Sequence, residues 1–86
     1  MEYVKPPPPW EAGRQGILNA LEAQMPEHTL RHPVPVVVRI EWAKDGVEQL
    51  ETEALGWTDR RVYVRLPDSR WRFTSAWLRA EDVRRR

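Results

Sequence analysis

The chain has 86 residues, room for one domain, and no cysteine, which excludes disulfides and thiolate metal sites. No stretch approaches the ~20 apolar residues that a membrane-spanning helix needs. The formal net charge of +1 hides an asymmetry: residues 1–59 hold five Lys/Arg against ten Asp/Glu, whereas residues 60–86 hold nine Arg against Asp68, Glu81 and Asp82.

Three regions follow in chain order. The first, residues 1–10, contains four consecutive prolines ending at Trp10. Proline fixes φ near −65° and removes the backbone donor, so the run reads as a polyproline II rod. Residues 1–5 contain no apolar signal core, and a cytoplasmic protein is expected. The second region, 11–33, is a helix followed by a connector. Ile17, Leu18, Leu21 and Met25 recur with helical spacing, and Pro26 stops the run. Gly13 and Gly16 weaken its first turn, and so short a helix needs a surface to dock on.

The third region, 34–86, is β-rich. Val34, Val36, Val38, Ile40 and Trp42 alternate with Pro35, Val37, Arg39 and Glu41, a strand with one buried face. Lys44-Asp45-Gly46 is a turn, and a second strand runs from about Val47 to Trp57. Its hydrophobic phase switches near Ala54–Gly56, which predicts a bulge. Thr58-Asp59-Arg60 turns into a third strand with Val62, Val64 and Leu66 inward. Pro67-Asp68-Ser69 turns into a fourth that begins at Arg70, with Trp71 and Phe73 inward, and continues irregularly to Trp77 and Leu78. Ala80-Glu81-Asp82 reads as a single 3-10 turn before a short last strand. Most of the five tryptophans are expected in the core, since each large aromatic buries roughly 150–250 Å².

The expected fold is therefore mainly β: a small barrel of four to five antiparallel strands with one N-terminal α-helix. The element order, and Trp77-Leu78-Arg79-Ala80-Glu81-Asp82-Val83 in particular, resembles the SH3-like barrel over residues 34–86. The Arg-rich strand, Asp-Gly turn, Gly-Trp-Thr segment and Trp-Leu…Asp-Val-Arg ending are also similar to small actinobacterial proteins. That second resemblance implies no function. The short Lys44–Gly46 turn departs from the long acidic, aromatic loop of signalling SH3 domains, so peptide binding of their type is not implied.

The sharpest candidate site is the outward face of strands three and four. If 61–66 and 70–74 pair as a hairpin, Arg61, Arg65, Arg70 and Arg72 flank Tyr63 on one surface. Guanidinium groups bind phosphate bidentately and an exposed aromatic stacks on a base. The same residues also read as a solvated face paired with Glu51 and Glu53. Arg84, Arg85 and Arg86 add charge, either to that face or to a solubilising tail. Pro7, Pro8, Pro9 and Trp10 form a second candidate, a ligand for an aromatic groove or a spacer. His28 and His32 are four apart, a metal-ligand spacing only on a helix, and Pro26 and Pro33 argue against one. No Gly-rich phosphate loop, Cys nucleophile or Ser with an evident base is present, so no catalysis, metal or cofactor is expected. The chain reads as a non-catalytic binding module for DNA or RNA. The alternative is a protein-interaction module or a small structural subunit that self-associates through its oppositely charged halves.

Overall fold

The computed structural model describes residues 13–86; the proline-rich segment 1–10, and with it Pro7, Pro8, Pro9 and Trp10, lies outside them. Five strands form one antiparallel sheet: β1 (His28–Trp42), β2 (Gly46–Thr58), β3 (Arg61–Arg65), β4 (Ser75–Arg79) and β5 (Val83–Arg85). Their spatial order is β4-β3-β2-β1-β5. A 3-10 turn at Ala80–Asp82 joins the last two strands.

The β1–β2 hairpin turns as its sequence dictates. Gly46 sits at φ 79°, a left-handed conformation that costs an L-residue energy. The next turn places Asp59 at φ 52°, tolerated because a short Asp side chain can bond locally. The alternation of β1 buries Val36, Val38, Ile40 and Trp42. Val64, Leu66, Ala76 and Leu78 meet them from β3, β4 and the residue after β3, forming one core cluster with Ile17 and Ala54. The phase switch in β2 is a real irregularity: the β2–β3 register shifts between Ala54 and Gly56. Gly56 is required there by contact, since a Cβ would lie 2.5 Å from the His28 carbonyl oxygen.

Four expectations need correction. The helix over 11–25 is absent from the described part of that range, and no α-helix occurs among the described residues. Segment 16–21 instead binds two sheet edges through its backbone. Leu18 N donates to Glu41 O (2.7 Å), Ala43 N to Gly16 O (2.9 Å), and Leu21 N to Trp77 O (2.9 Å). Ile17 is buried while Leu18 and Met25 are exposed, so the helical spacing is not used. Unpaired strand edges offer this segment partners for its own backbone groups, which outweigh a marginal helix opened by two glycines.

The sheet is also not closed into a barrel. Among the described residues, strand β5 pairs only with Val36, Val37 and Val38 of β1 and forms no ladder with β4. Segment 16–21 occupies the opening, bridging Ile17 to Trp42 and Leu21 to Trp77. Asn19 supports it. Its Nδ2 donates to Arg39 O (2.8 Å) and its Oδ1 accepts from Glu41 N (2.9 Å). The side-chain amide thus takes the place of a neighbouring strand residue, which explains a polar group 7% exposed.

The connector at 27–33 proves to be largely strand, because β1 starts at His28 and pairs His28 and Thr29 with Trp57 and Gly56. Finally, the fourth strand starts at Ser75, not Arg70, and residues 66–74 form the loop that precedes it. Asp68 holds that loop, its Oδ1 accepting from Arg70 N (2.9 Å), an Asx-type turn that competes with strand pairing.

Candidate anion-binding cleft

The late start of β4 changes which side chains share a face. β3 pairs Arg61 with Arg79, Val62 with Leu78, Tyr63 with Trp77 and Arg65 with Ser75. Val62, Val64, Ala76 and Leu78 face the core, so alternation sends Arg61, Tyr63, Arg65, Ser75, Trp77 and Arg79 to the outer face. The expected hairpin between 61–66 and 70–74 is replaced by this register, and Arg70 and Arg72 leave the face.

The outer face has two parts. At one end Arg61 and Arg79 stand directly opposite each other, a like-charge pair that costs stability. Arg60 adjoins them from the turn, its carbonyl accepting from Ala80 N at 2.7 Å. Together with Leu21, Ala80 and Glu81 they line a cleft of about 360 Å³. Glu81 is the single carboxylate on its wall, yet Arg60, Arg61 and Arg79 form no ion pair among the described residues.

The other part is aromatic. Tyr63 stacks on Trp77 (centroids 5.1 Å apart), and Trp71 meets Phe73 edge-on at 5.5 Å. Segment 20–24 lies over these rings, and Trp77 Nε1 donates to Gln24 O (2.9 Å). Tyr63, Trp71, Phe73, Trp77 and Gln24 line a pocket of about 270 Å³ that shares Leu21 with the cationic cleft. Tyr63 is therefore not a free stacking platform flanked by arginines. It is half-buried, and its hydroxyl oxygen accepts from Ser75 Oγ (2.7 Å).

The remaining arginines are differently placed. Arg70 lies 4.1 Å above the Trp42 ring and closes that end of the core. Its Nε and Nη2 donate to Asp68 (3.0 and 2.8 Å), its Nη1 and Nη2 to Glu48 (2.8 and 3.0 Å), and its Nη1 to Asp45 (3.0 Å). Hydrogen bonds to Asp68, then Glu48, hold its pKa above the ordinary arginine value. The same guanidinium, chiefly through these bonds, holds the Glu48 and Asp68 carboxyls below theirs. With three carboxylates on one guanidinium, Arg70 has no donor to spare for a phosphate.

Arg65 pairs with Glu53 (3.1 Å), as the solvated-face reading expects, and Arg72 has partners of its own, its carbonyl accepting from Arg14 Nη1 among them. In the C-terminal tail, Arg84 donates to Gln49 (3.2 Å), Arg86 pairs with Glu51 (3.1 Å), and Arg85 is exposed. Arg84 and Arg85 lie in β5 and Arg86 follows it, at the edge of the sheet opposite β4, so they do not adjoin the β3–β4 face through a closing ladder. His28 stacks on Trp57 (4.7 Å), and no group of metal-ligating side chains occurs among the described residues.

Of the site residues anticipated, Arg61 alone lies in the cationic cleft; Arg60 and Arg79 were missed. Arg60 falls in the expected Thr58–Arg60 turn, and Arg79 falls just past Leu78, where the fourth strand is expected to end. The alternation Ala76, Leu78 against Trp77, Arg79 was the available signal, and it pairs Arg79 with Arg61 once β4 starts at Ser75. No family model matches the chain, and no curated protein or solved structure is significantly similar to it.

Proposed function

We propose that the protein is a non-catalytic nucleic-acid-binding module that takes the phosphate backbone of DNA or RNA into the cleft of Arg60, Arg61 and Arg79. The observation that carries this reading is that three arginines share one cleft with no ion-pair partner among the described residues, whereas Arg39, Arg65, Arg70 and Arg86 each have one. Like charges held opposite one another across a ladder cost stability, and an anion between them returns it. Guanidinium groups suit phosphate because their planar donors bind its oxygens in pairs. Neither resting charge nor core packing calls for arginine opposite arginine at these positions. The strand order and the 3-10 turn before β5 are consistent with an opened form of the SH3-like arrangement, with segment 16–21 in place of the closing ladder.

The reading is tested by fluorescence anisotropy with labelled single-stranded and duplex oligonucleotides at 50 and 200 mM salt. Three phosphate contacts give a log–log salt slope of roughly −2. Affinity should therefore fall about tenfold or more between the two conditions. Absence of binding at the lower salt contradicts the reading.

One observation favours a second reading, a protein-interaction module. An open groove of about 440 Å³ is lined by Leu30, Val34, Val36, Ala54, Trp57 and Val62, among other residues, and is mostly apolar, with Arg85 its one charged lining residue among the described residues. Under that reading the mass in solution rises with concentration, or a Val34→Asp variant loses a partner while remaining folded. A concentration-independent monomer mass removes self-association.

A further inference from the structure

We infer that the aromatic pocket beside the cleft receives an unstacked base, so that the preferred ligand is a single strand and not a duplex. This rests on the phosphate-binding reading of the cleft and extends it to a second, adjoining subsite.

The two subsites share one surface by construction. Arg61 and Tyr63 are two residues apart on β3, and Arg79 and Trp77 two apart on β4, with both pairs on the outer face. Residues two apart along a strand are separated by roughly 7 Å. That is of the order of the span from a phosphate to its own base, so a nucleotide held at the arginines presents its base to the aromatics. Leu21 lies on the boundary and lines both cavities.

The pocket has the character a base requires. Its volume of about 270 Å³ is just under the usual range for small-molecule sites, which suits a single ring system. Trp71 and Phe73 offer ring surface, and Phe73 is 59% exposed despite its size. An exposed aromatic beside unpaired cations is the usual composition of a single-strand site, where stacking is indifferent to base identity and charge follows the backbone. Gln24 supplies the polar group. Its Nε2 is buried and lacks a hydrogen-bond partner among the described residues, although the residue lines the pocket. A buried unsatisfied amide donor is costly, and an acceptor on a base edge would relieve it. A duplex keeps its bases stacked and paired, so it could use the arginines but not the pocket.

The test compares three labelled ligands of equal length at one low salt concentration: a single-stranded oligonucleotide, its abasic counterpart and a duplex. Wild-type protein and Phe73→Ala are titrated with each. Phe73 is exposed, so its truncation leaves the core intact. The inference predicts that the wild type prefers the base-bearing single strand over the abasic one by about tenfold, and that Phe73→Ala erases the preference while leaving abasic and duplex affinities unchanged. Gln24→Ala should reduce the same preference. Equal wild-type affinity for base-bearing and abasic strands overturns the inference and leaves the cleft reading standing. Failure of all three ligands to bind overturns both. If Phe73→Ala abolishes binding of a peptide with the sequence of residues 1–12 and leaves the base preference intact, the pocket serves a proline-rich segment and the inference is wrong.

Discussion

Two arginine sites on this small sheet show opposite uses of the same side chain. Arg70 is surrounded by Asp45, Glu48 and Asp68 and lies against Trp42, whereas Arg60, Arg61 and Arg79 share a cleft with no carboxylate bonded to them among the described residues. At the first site the donors are spent on the fold: the bonded carboxylates tie the loop 66–74, the β1–β2 turn and the start of β2 to the end of the core. At the second the donors are unspent, and adjacent positive charges work against the fold. The difference between the two sites lies in the carboxylates within reach, which the count of arginines does not reveal.

The comparison breaks most visibly through stability. Arg70→Met should lower Tm by several degrees, because it removes the charge-assisted hydrogen bonds to Asp68 and Glu48 and leaves three carboxylates facing one another. Arg61→Gln should leave Tm unchanged or raise it slightly, since it relieves repulsion with Arg79. Thermal unfolding of the two variants side by side checks both. Equal losses would mean that the cleft arginines are structural too.

Two substitutions probe how the site is held. Gly56→Ala drives a Cβ against the His28 carbonyl oxygen and should cost about 1–3 kcal/mol, with the β1 amides at His28 and Thr29 losing protection from hydrogen exchange first. Asn19→Ala leaves Glu41 N without its acceptor and should cost about 1–2 kcal/mol. Because Asn19 anchors the segment that carries Leu21, it should also weaken anion binding, whereas Gly56→Ala should not.

The smallest effect is with pH. Glu48 and Asp68 have carboxyls lowered by Arg70, so the stability they contribute is complete above the unfolded carboxyl range, roughly pH 4, and is lost as pH falls through their lower folded values. Urea midpoints measured downward from pH 5 should decline in the wild type and decline less in Arg70→Met. Parallel curves would show that the cluster does not govern acid stability.

The sequence made the sheet legible where one local signal acted alone. Strict alternation over Val34–Trp42 located β1, Asp45-Gly46 located its turn, and the phase switch at Ala54–Gly56 located the β2 irregularity. It misled where a tertiary partner decided. The spacing of Ile17, Leu18 and Leu21 is helical, yet the free edges at Glu41 and Trp77 draw this segment into extended pairing, and nothing local to residues 16–21 announces those edges. Likewise Arg70, Trp71, Arg72 and Phe73 alternate as a strand would, but Asp68 turns the backbone, and Asp45 and Glu48, more than twenty residues earlier, capture Arg70. The cationic character of the C-terminal third was visible in the sequence; its division into neutralised and free arginines depends on these long-range contacts.

Phosphate binding by Arg60, Arg61 and Arg79 would show in the salt dependence of single-strand binding. Wild type, Arg61→Gln with Arg79→Gln, and Arg84→Gln with Arg85→Gln would be titrated from 50 to 200 mM salt. The account predicts that the first double variant loses affinity and flattens the log–log slope by about 1.4, while the tail variant keeps the wild-type slope. Unchanged binding in the cleft variant, or a loss confined to the tail variant, would contradict it.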